Sequence, residues 1–176
     1  MFSHSSVFIG LGSNLKDRMA NIAWALNMLG ETEDIKITSL SSLYETEPQD
    51  FPGQPNFINC VARISTDLNP ELLLANIKSI EKIMGRLPDS HLKPRPIDID
   101  ILLYDNTILN SPDLIIPHPR LTDRRFVLEP LLEIAQDITD PVTLSPLKYS
   151  LNKVLSQKVS KVPDSKEVAD ARQRQI

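Results

Sequence analysis

A single cysteine, Cys60, in 176 residues rules out an intrachain disulfide, so the fold must be held by burial alone. Cys60 lies in an apolar run and reads as a small buried hydrophobe and not a nucleophile. One unpaired thiol fits a reducing, cytoplasmic setting. Glycine is scarce, and Gly10-Leu11-Gly12-Ser13-Asn14-Leu15 has leucine where a dinucleotide fingerprint needs its third glycine, which excludes that motif. No apolar run approaches the ~18 residues of a membrane span. The first six residues, Met1 to Ser6, lack the basic and apolar regions of a secretory signal. An excess of positive charge is missing as well: the formal net charge is −4, whereas non-specific nucleic-acid binding needs a strongly basic surface. These absences predict a soluble chain that contacts neither membrane nor nucleic acid. Its length fits one domain that buries roughly 70% of its unfolded surface.

What is present centres on Pro94-Arg95-Pro96-Ile97-Asp98-Ile99-Asp100-Ile101-Leu102-Leu103-Tyr104. The alternation of isoleucine with aspartate is that of a half-buried strand, with both carboxylates on one side. Their Cα atoms should lie roughly 6.6 to 7 Å apart, since a strand rises ~3.3 to 3.4 Å per residue. Aspartate disfavours strands, so a pair of them facing one way on an isoleucine-rich strand indicates a site more than a solvated edge. Two such carboxylates suit Mg²⁺, which keeps several waters and is completed by substrate phosphates. Basic residues bracket this acidic centre: Arg86, Lys93 and Arg95 before it, His118, Arg120, Arg124 and Arg125 after it. That pattern fits a polyanion held beside a metal.

Around this strand the chain reads as strand (7–11), helix (from Ser13 or Asn14 as N-cap to a stop at Gly30), strand (35–44), strand (57–66) and helix (from Asn69-Pro70-Glu71 to Gly85). In the strand 57–66, Phe57, Asn59 and Val61 share one face. The loops 47–56 and 86–96 are far longer than ordinary connections and read as binding loops. The order is β-α-β-β-α-β, which predicts an α+β, ferredoxin-like antiparallel sheet with two helices on one face and a site on the other. The aspartate strand is expected to turn at Asp105-Asn106 into an extra short strand through Ile108 and Leu109. Residues 117–135 read as partly helical, with Pro130 starting or ending an element. Residues 1–151 form the single domain. Residues 152–176, with six Lys or Arg against three Asp or Glu, read as a basic tail, mobile or loosely docked, with a helix through Val168 and Ala171 left open.

Gly12-Ser13-Asn14, Tyr44-Glu45-Thr46, Gln54-Pro55-Asn56-Phe57-Ile58-Asn59, Glu81 with Gly85-Arg86, Pro94 to Ile101, and Pro117-His118-Pro119-Arg120 with Arg124 and Phe126 stand in an order and spacing that resembles 6-hydroxymethyl-7,8-dihydropterin pyrophosphokinases. The resemblance runs from about Val7 to Ile134. It implies transfer of a pyrophosphoryl group from ATP to a pterin alcohol in folate biosynthesis. It further implies two Mg²⁺ ions on Asp98 and Asp100, with Arg86 and Arg95 as catalytic phosphate contacts beside them. Glu81, Arg86, Arg95, Ile101, His118 and Arg124 would bind ATP. Thr46, Phe57, Asn59 and Phe126 would bind the pterin, the two rings sandwiching it. A monomer that takes these two small-molecule substrates is expected. The chain departs from many members in the loop before Pro94, where Asp89-Ser90-His91-Leu92-Lys93 replaces a covering aromatic, leaving His91 or Leu92 as cover. Two rival readings of the residues are another Mg²⁺-dependent nucleotidyl or phosphoryl transferase and a non-catalytic ferredoxin-like binding module.

Overall fold

A computed structural model describes residues 4–49, 53–87 and 93–176. Its centre is a six-stranded antiparallel sheet of β1 (Ser5–Ser13), β2 (Ile35–Leu40), β3 (Leu43–Thr46), β4 (Phe57–Thr66), β5 (Asp98–Tyr104) and the C-terminal strand Val159–Val162. The strand order is β5-β1-β4-β3 followed by the C-terminal strand, with β2 also paired to β4. The single strand expected over 35–44 is two, because the chain breaks at Ser41-Ser42. There Ser41 Oγ accepts from the Val61 amide at 2.9 Å, and the Ser42 amide turns to Glu133 at 3.1 Å.

Helix α1 (Arg18–Glu31) is capped by Asp17, whose carboxylate accepts from the Ala20 amide at 3.0 Å, and not by Ser13 or Asn14. Ser13 is still paired in β1, opposite Ile58, and Asn14 is committed to the site. Gly30 is not the helix stop either; it lies within the last turn, where a Cβ would fall 1.7 Å from Gln175 Oε1, so glycine there gives clearance to a packed neighbour. Helix α2 (Pro70–Ile83) follows the sequence reading closely. Asn69 accepts from the Leu72 amide at 2.8 Å, Pro70 opens the first turn, and Leu73, Ile77, Ile80 and Met84 are buried.

Both helices cover one face of the sheet, where Ile9, Leu11, Ile22, Leu26, Ile58, Ile77, Ile99 and Ile101 form the main core. On the opposite face a second core joins Phe8, Val61 and Leu102 to Val127, Leu128 and Leu131 of α3 (Arg125–Ile134). Pro130 lies inside α3 and does not bound it. The bond it forfeits is one, and the burial of α3's apolar side outweighs that loss.

The short strand after β5, β6 (Leu109–Asn110), pairs with β7 (Ile115–Ile116) in a separate ribbon and not with β5. The segment 152–176 is also docked where a loose tail was expected. After the short helix α4 (Lys148–Leu151), β8 (Val159–Val162) pairs with β3, and α5 (Lys166–Gln175) packs on α1, burying Val168 and Ala171 completely or nearly so. Two buried residues suffice because Arg172 adds polar anchors, donating to the Leu40 and Ser41 carbonyls at 2.7 and 2.9 Å.

Candidate active site

The site is a cavity of about 560 Å³ on the sheet face beside α3. Its floor follows from register. Asp98 and Asp100 of β5 stand opposite Gly12 and Gly10 of β1, which stand opposite Asn59 and Val61 of β4. Two glycines in the middle strand leave the space between the aspartates and Asn59 open. At Gly12 the clearance is used: a Cβ there would lie 2.8 Å from Asn59 Oδ1 and would displace that amide.

Asn59 is buried and donates Nδ2 to Thr46 Oγ1 at 2.9 Å, which orients its amide across the floor. Phe57 and Phe126 also line the cavity, and each is faced by a guanidinium: Arg95 lies 5.2 Å from the Phe57 ring centre and Arg124 lies 5.6 Å from that of Phe126. Asn14 ties the two long loops together. Its Nδ2 donates to Gln54 Oε1 at 2.9 Å, and its Oδ1 accepts from the Arg95 amide at 2.9 Å.

At the acidic end, Asp98 is clasped by Arg86 at 2.5 Å and by Arg95 at 2.7 Å. Burial pushes the Asp98 carboxyl up, but Arg95 and Arg86 outweigh it and hold it below the usual carboxylate range. Asp100 has no such clasp, its neighbours His118 Nε2 and the Arg124 guanidinium both being 3.8 Å away. Burial first, and then the charge of Asp98, push its carboxyl up to about 6. Arg86 is held above its ordinary value: burial would lower it, and Asp98 and Glu81 reverse that.

His118 is brought in by its amide, which donates to the Leu102 carbonyl at 2.9 Å, and its Nδ1 accepts from the Arg120 amide at 3.1 Å. An accepting Nδ1 places the ring proton on Nε2, facing Asp100. Burial, then Arg124, lower its pKa to about 4. At neutral pH the imidazole is therefore a neutral donor and adds no charge.

Two of the sequence-predicted residues do not reach the cavity wall. Ile101 is 4% exposed in the helix-side core, as the strand alternation requires. Glu81 is 2% exposed and lies behind the site. It accepts from the Ile99 amide at 2.8 Å, from Lys78 at 3.0 Å and from Arg86, so it both satisfies the free edge of β5 and fixes Arg86. The cover expected from His91 or Leu92 lies outside the described residues. Arg86, Arg95, His118, Arg124, Thr46, Phe57, Asn59 and Phe126 all line one cavity with the two aspartates.

The family described as 7,8-dihydro-6-hydroxymethylpterin-pyrophosphokinase (HPPK) matches residues 8–136 of the chain. The chain belongs to this family. The 2-amino-4-hydroxy-6-hydroxymethyldihydropteridine pyrophosphokinase of Aquifex aeolicus is 41% identical over 82% of the chain and 89% of its own length. The enzyme of the same name from Bacillus subtilis is 37% identical over 86% and 90%. The folic acid synthesis protein fol1 of Schizosaccharomyces pombe is 43% identical over 85% of the chain, and the chain spans about a fifth of that relative's length, 20%. Among solved structures, Plasmodium falciparum HPPK-DHPS resembles it in fold with a TM-score of 0.67 at 17% identity, over 87% of this chain and 45% of that one.

Within this HPPK chain, sequence reading missed Gly10 and Gly12 as floor residues, Asn14 as the link between loops, and Gln49 and Gln54 on the rim. Gly12-Ser13-Asn14 was visible as a motif, but its partners Asn59 and Gln54 are set by strand register and loop path, which a local pattern does not carry. No described helix is long and apolar enough to cross a membrane.

Proposed function

We propose that the chain transfers the pyrophosphoryl group of ATP to the hydroxymethyl oxygen of 6-hydroxymethyl-7,8-dihydropterin, giving AMP and the pterin diphosphate. One observation carries this reading: a single cavity joins an aspartate pair, ringed by arginines, to a buried amide flanked by aromatic rings. The acidic end fits phosphates with a divalent cation, and the amide and aromatic end fits a flat heterocycle.

Asp98 and Asp100 suit Mg²⁺ by their hard oxygen donors. Asp100, pushed up by burial and then by the charge of Asp98, meets the Arg124 guanidinium only at 3.8 Å, which leaves its oxygens open to a cation. Among the described residues no cluster of three or more His, Cys, Asp or Glu side chains is placed to hold a metal, so water and phosphate oxygens would complete the shell. We assign two ions. Held there, Mg²⁺ would neutralise and orient the phosphate oxygens.

The chain's own residues do the rest. Arg86 and Arg95, which pair with Asp98 in this structure, exchange that carboxylate for phosphate oxygens as ATP enters, and so free Asp98. His118 donates from Nε2 and Arg124 adds charge at the same end. Glu81 keeps Arg86 aimed. Phe57 and Phe126 sandwich the pterin, while Asn59, held by Thr46, reads its edge. Catalysis is then alignment of the hydroxyl with the β-phosphorus plus charge stabilisation, and no side-chain base is assigned. The β5-β1-β4-β2/β3 order with α1 and α2 supports a ferredoxin-like arrangement extended by β8. A cytoplasmic monomer is the simplest form of such an enzyme.

The test is nucleotide analysis after incubation with ATP, Mg²⁺ and the pterin alcohol. AMP formed in step with pterin diphosphate is expected. ADP, or AMP without any pterin requirement, would overturn the reading in favour of another phosphoryl or nucleotidyl transferase.

A further inference from the structure

The last forty residues lie beyond the family match at 136, yet part of them reaches the rim of the cavity. Gln157 uses its whole amide there. Its Oε1 accepts from the Arg125 amide at 2.8 Å and from Gln49 Nε2, and its Nε2 donates to the Asp123 carbonyl at 2.8 Å. Its carbonyl accepts from Arg125 Nη1 at 2.8 Å, and that same guanidinium nitrogen donates to the Leu155 carbonyl at 3.0 Å.

One side chain therefore joins two walls of the site. Asp123 and Arg125 bracket Arg124 and precede Phe126, whereas Gln49 lies on the long loop after β3; Gln49, Arg124 and Phe126 all line the cavity. The next residue, Lys158, pairs with Glu47 of that loop at 3.1 Å. With both side chains well exposed this ion pair adds little by itself. Then β8 begins, and Val159 stands opposite Thr46, the residue that holds Asn59.

We propose that Gln157 is a positioning residue of the pterin end of the pocket, acting through Gln49 and the start of α3. The inference rests on the reading under Proposed function. The substrate it governs follows from the sheet. The contacts of 157–159 fall on β3, the loop after it and the start of α3, while the aspartates sit on β5. Two strands separate β3 from β5, so β3 and its loop lie ~14 Å from the aspartate strand at a strand spacing of ~4.8 Å; of the acidic end Gln157 borders Arg124 alone, which stands between its Asp123 and Arg125 contacts, 3.8 Å from Asp100. Loss of the link should loosen the pterin, and the nucleotide less, through Arg124 alone.

The experiment measures binding of the pterin alcohol by calorimetry in the presence of Mg²⁺ and a non-hydrolysable ATP analogue. It measures binding of the analogue separately. The proteins are the full chain, Gln157→Leu, Gln49→Ala and the double variant. Each single change should weaken pterin roughly three- to tenfold, the scale of one or two net hydrogen bonds, with the analogue bound as before in Gln49→Ala and weakened less than the pterin in Gln157→Leu. Because both act through one contact, the double variant should be about as weak as Gln157→Leu alone.

Unchanged pterin affinity, equal loss of both ligands, or additive losses would each overturn the proposal. Gln49 is exposed, so Gln49→Ala keeps the fold, and unchanged pterin affinity in it overturns the proposal even where Gln157→Leu unfolds the chain. A wild-type chain that binds the analogue but no pterin overturns the functional reading itself, and the positioning role with it.

Discussion

Replacing Gly12 by alanine changes the pocket floor at one atom. The added Cβ would lie 2.8 Å from Asn59 Oδ1 and 3.7 Å from Phe57 Cδ1. The first distance is too short to survive, so the Asn59 amide must retreat, and that retreat strains or breaks its 2.9 Å bond to Thr46. A buried neutral hydrogen bond is worth about 0.5 to 1.5 kcal/mol net. For a ligand whose edge the amide reads, this becomes a roughly two- to twelvefold loss of affinity.

Gly10→Ala is the internal control. Gly10 also lines the cavity, opposite Asp100, but a Cβ there meets Leu102 at an ordinary 3.5 Å. Calorimetry with the pterin alcohol, Mg²⁺ and a non-hydrolysable ATP analogue should show weaker pterin binding for Gly12→Ala only, with analogue binding unchanged in both. A stability cost near 1 kcal/mol should lower Tm by roughly 2 to 4 °C. Wild-type pterin affinity in Gly12→Ala would refute the role given to Asn59, and equal loss of both ligands would refute a defect confined to the floor.

Asp100→Asn should abolish pterin-dependent AMP formation yet raise the Tm of the metal-free protein at neutral pH. The Asp100 carboxyl titrates at about 6 in the fold, above its unfolded value, so its ionised form costs stability above that pH. The gain should shrink as pH falls from about 6 toward about 4, and a lower Tm in the variant at pH 7.5 would contradict the assignment. Phe126→Ala should weaken the pterin at least tenfold, by loss of a stacking face, and the ATP analogue little; parallel losses would assign Phe126 to folding instead. Arg172→Ala should cost about 1 to 3 kcal/mol in denaturant unfolding, because it leaves the Leu40 and Ser41 carbonyls without their charged donor. Pterin affinity should hold, and an unchanged unfolding midpoint would show α5 to be held by Val168 and Ala171 alone.

The facing of Asp98 with Asp100, and of Phe57 with Asn59 and Val61, was legible in the sequence because a strand's side chains alternate with a period of two. So were the cap and the buried stripe of α2, where Asn69, Pro70 and the apolar spacing all agree. Local pattern failed where a residue's role depends on a distant partner. Ser13 and Asn14 look like helix caps, but one is paired to β4 and the other spans two loops. Gly30 looks like a stop, but it makes room for Gln175. Pro130 looks like a boundary, but it is carried inside α3 by the apolar face that helix buries.

By itself the sequence determined the order of elements from β1 to β5, save the break at Ser41-Ser42, the acidic face of one strand, the basic residues bracketing it and the family to which they belong. Each of these is a property of neighbouring side chains or of motif spacing. Only the tertiary structure decided that Gly12 keeps the floor clear beside Asn59, that Glu81 works from behind the site, and that the C-terminal segment closes onto the rim through Gln157. These depend on strand register and on contacts between residues up to 108 positions apart, as between Gln49 and Gln157, and such contacts exist only once the whole sheet has formed.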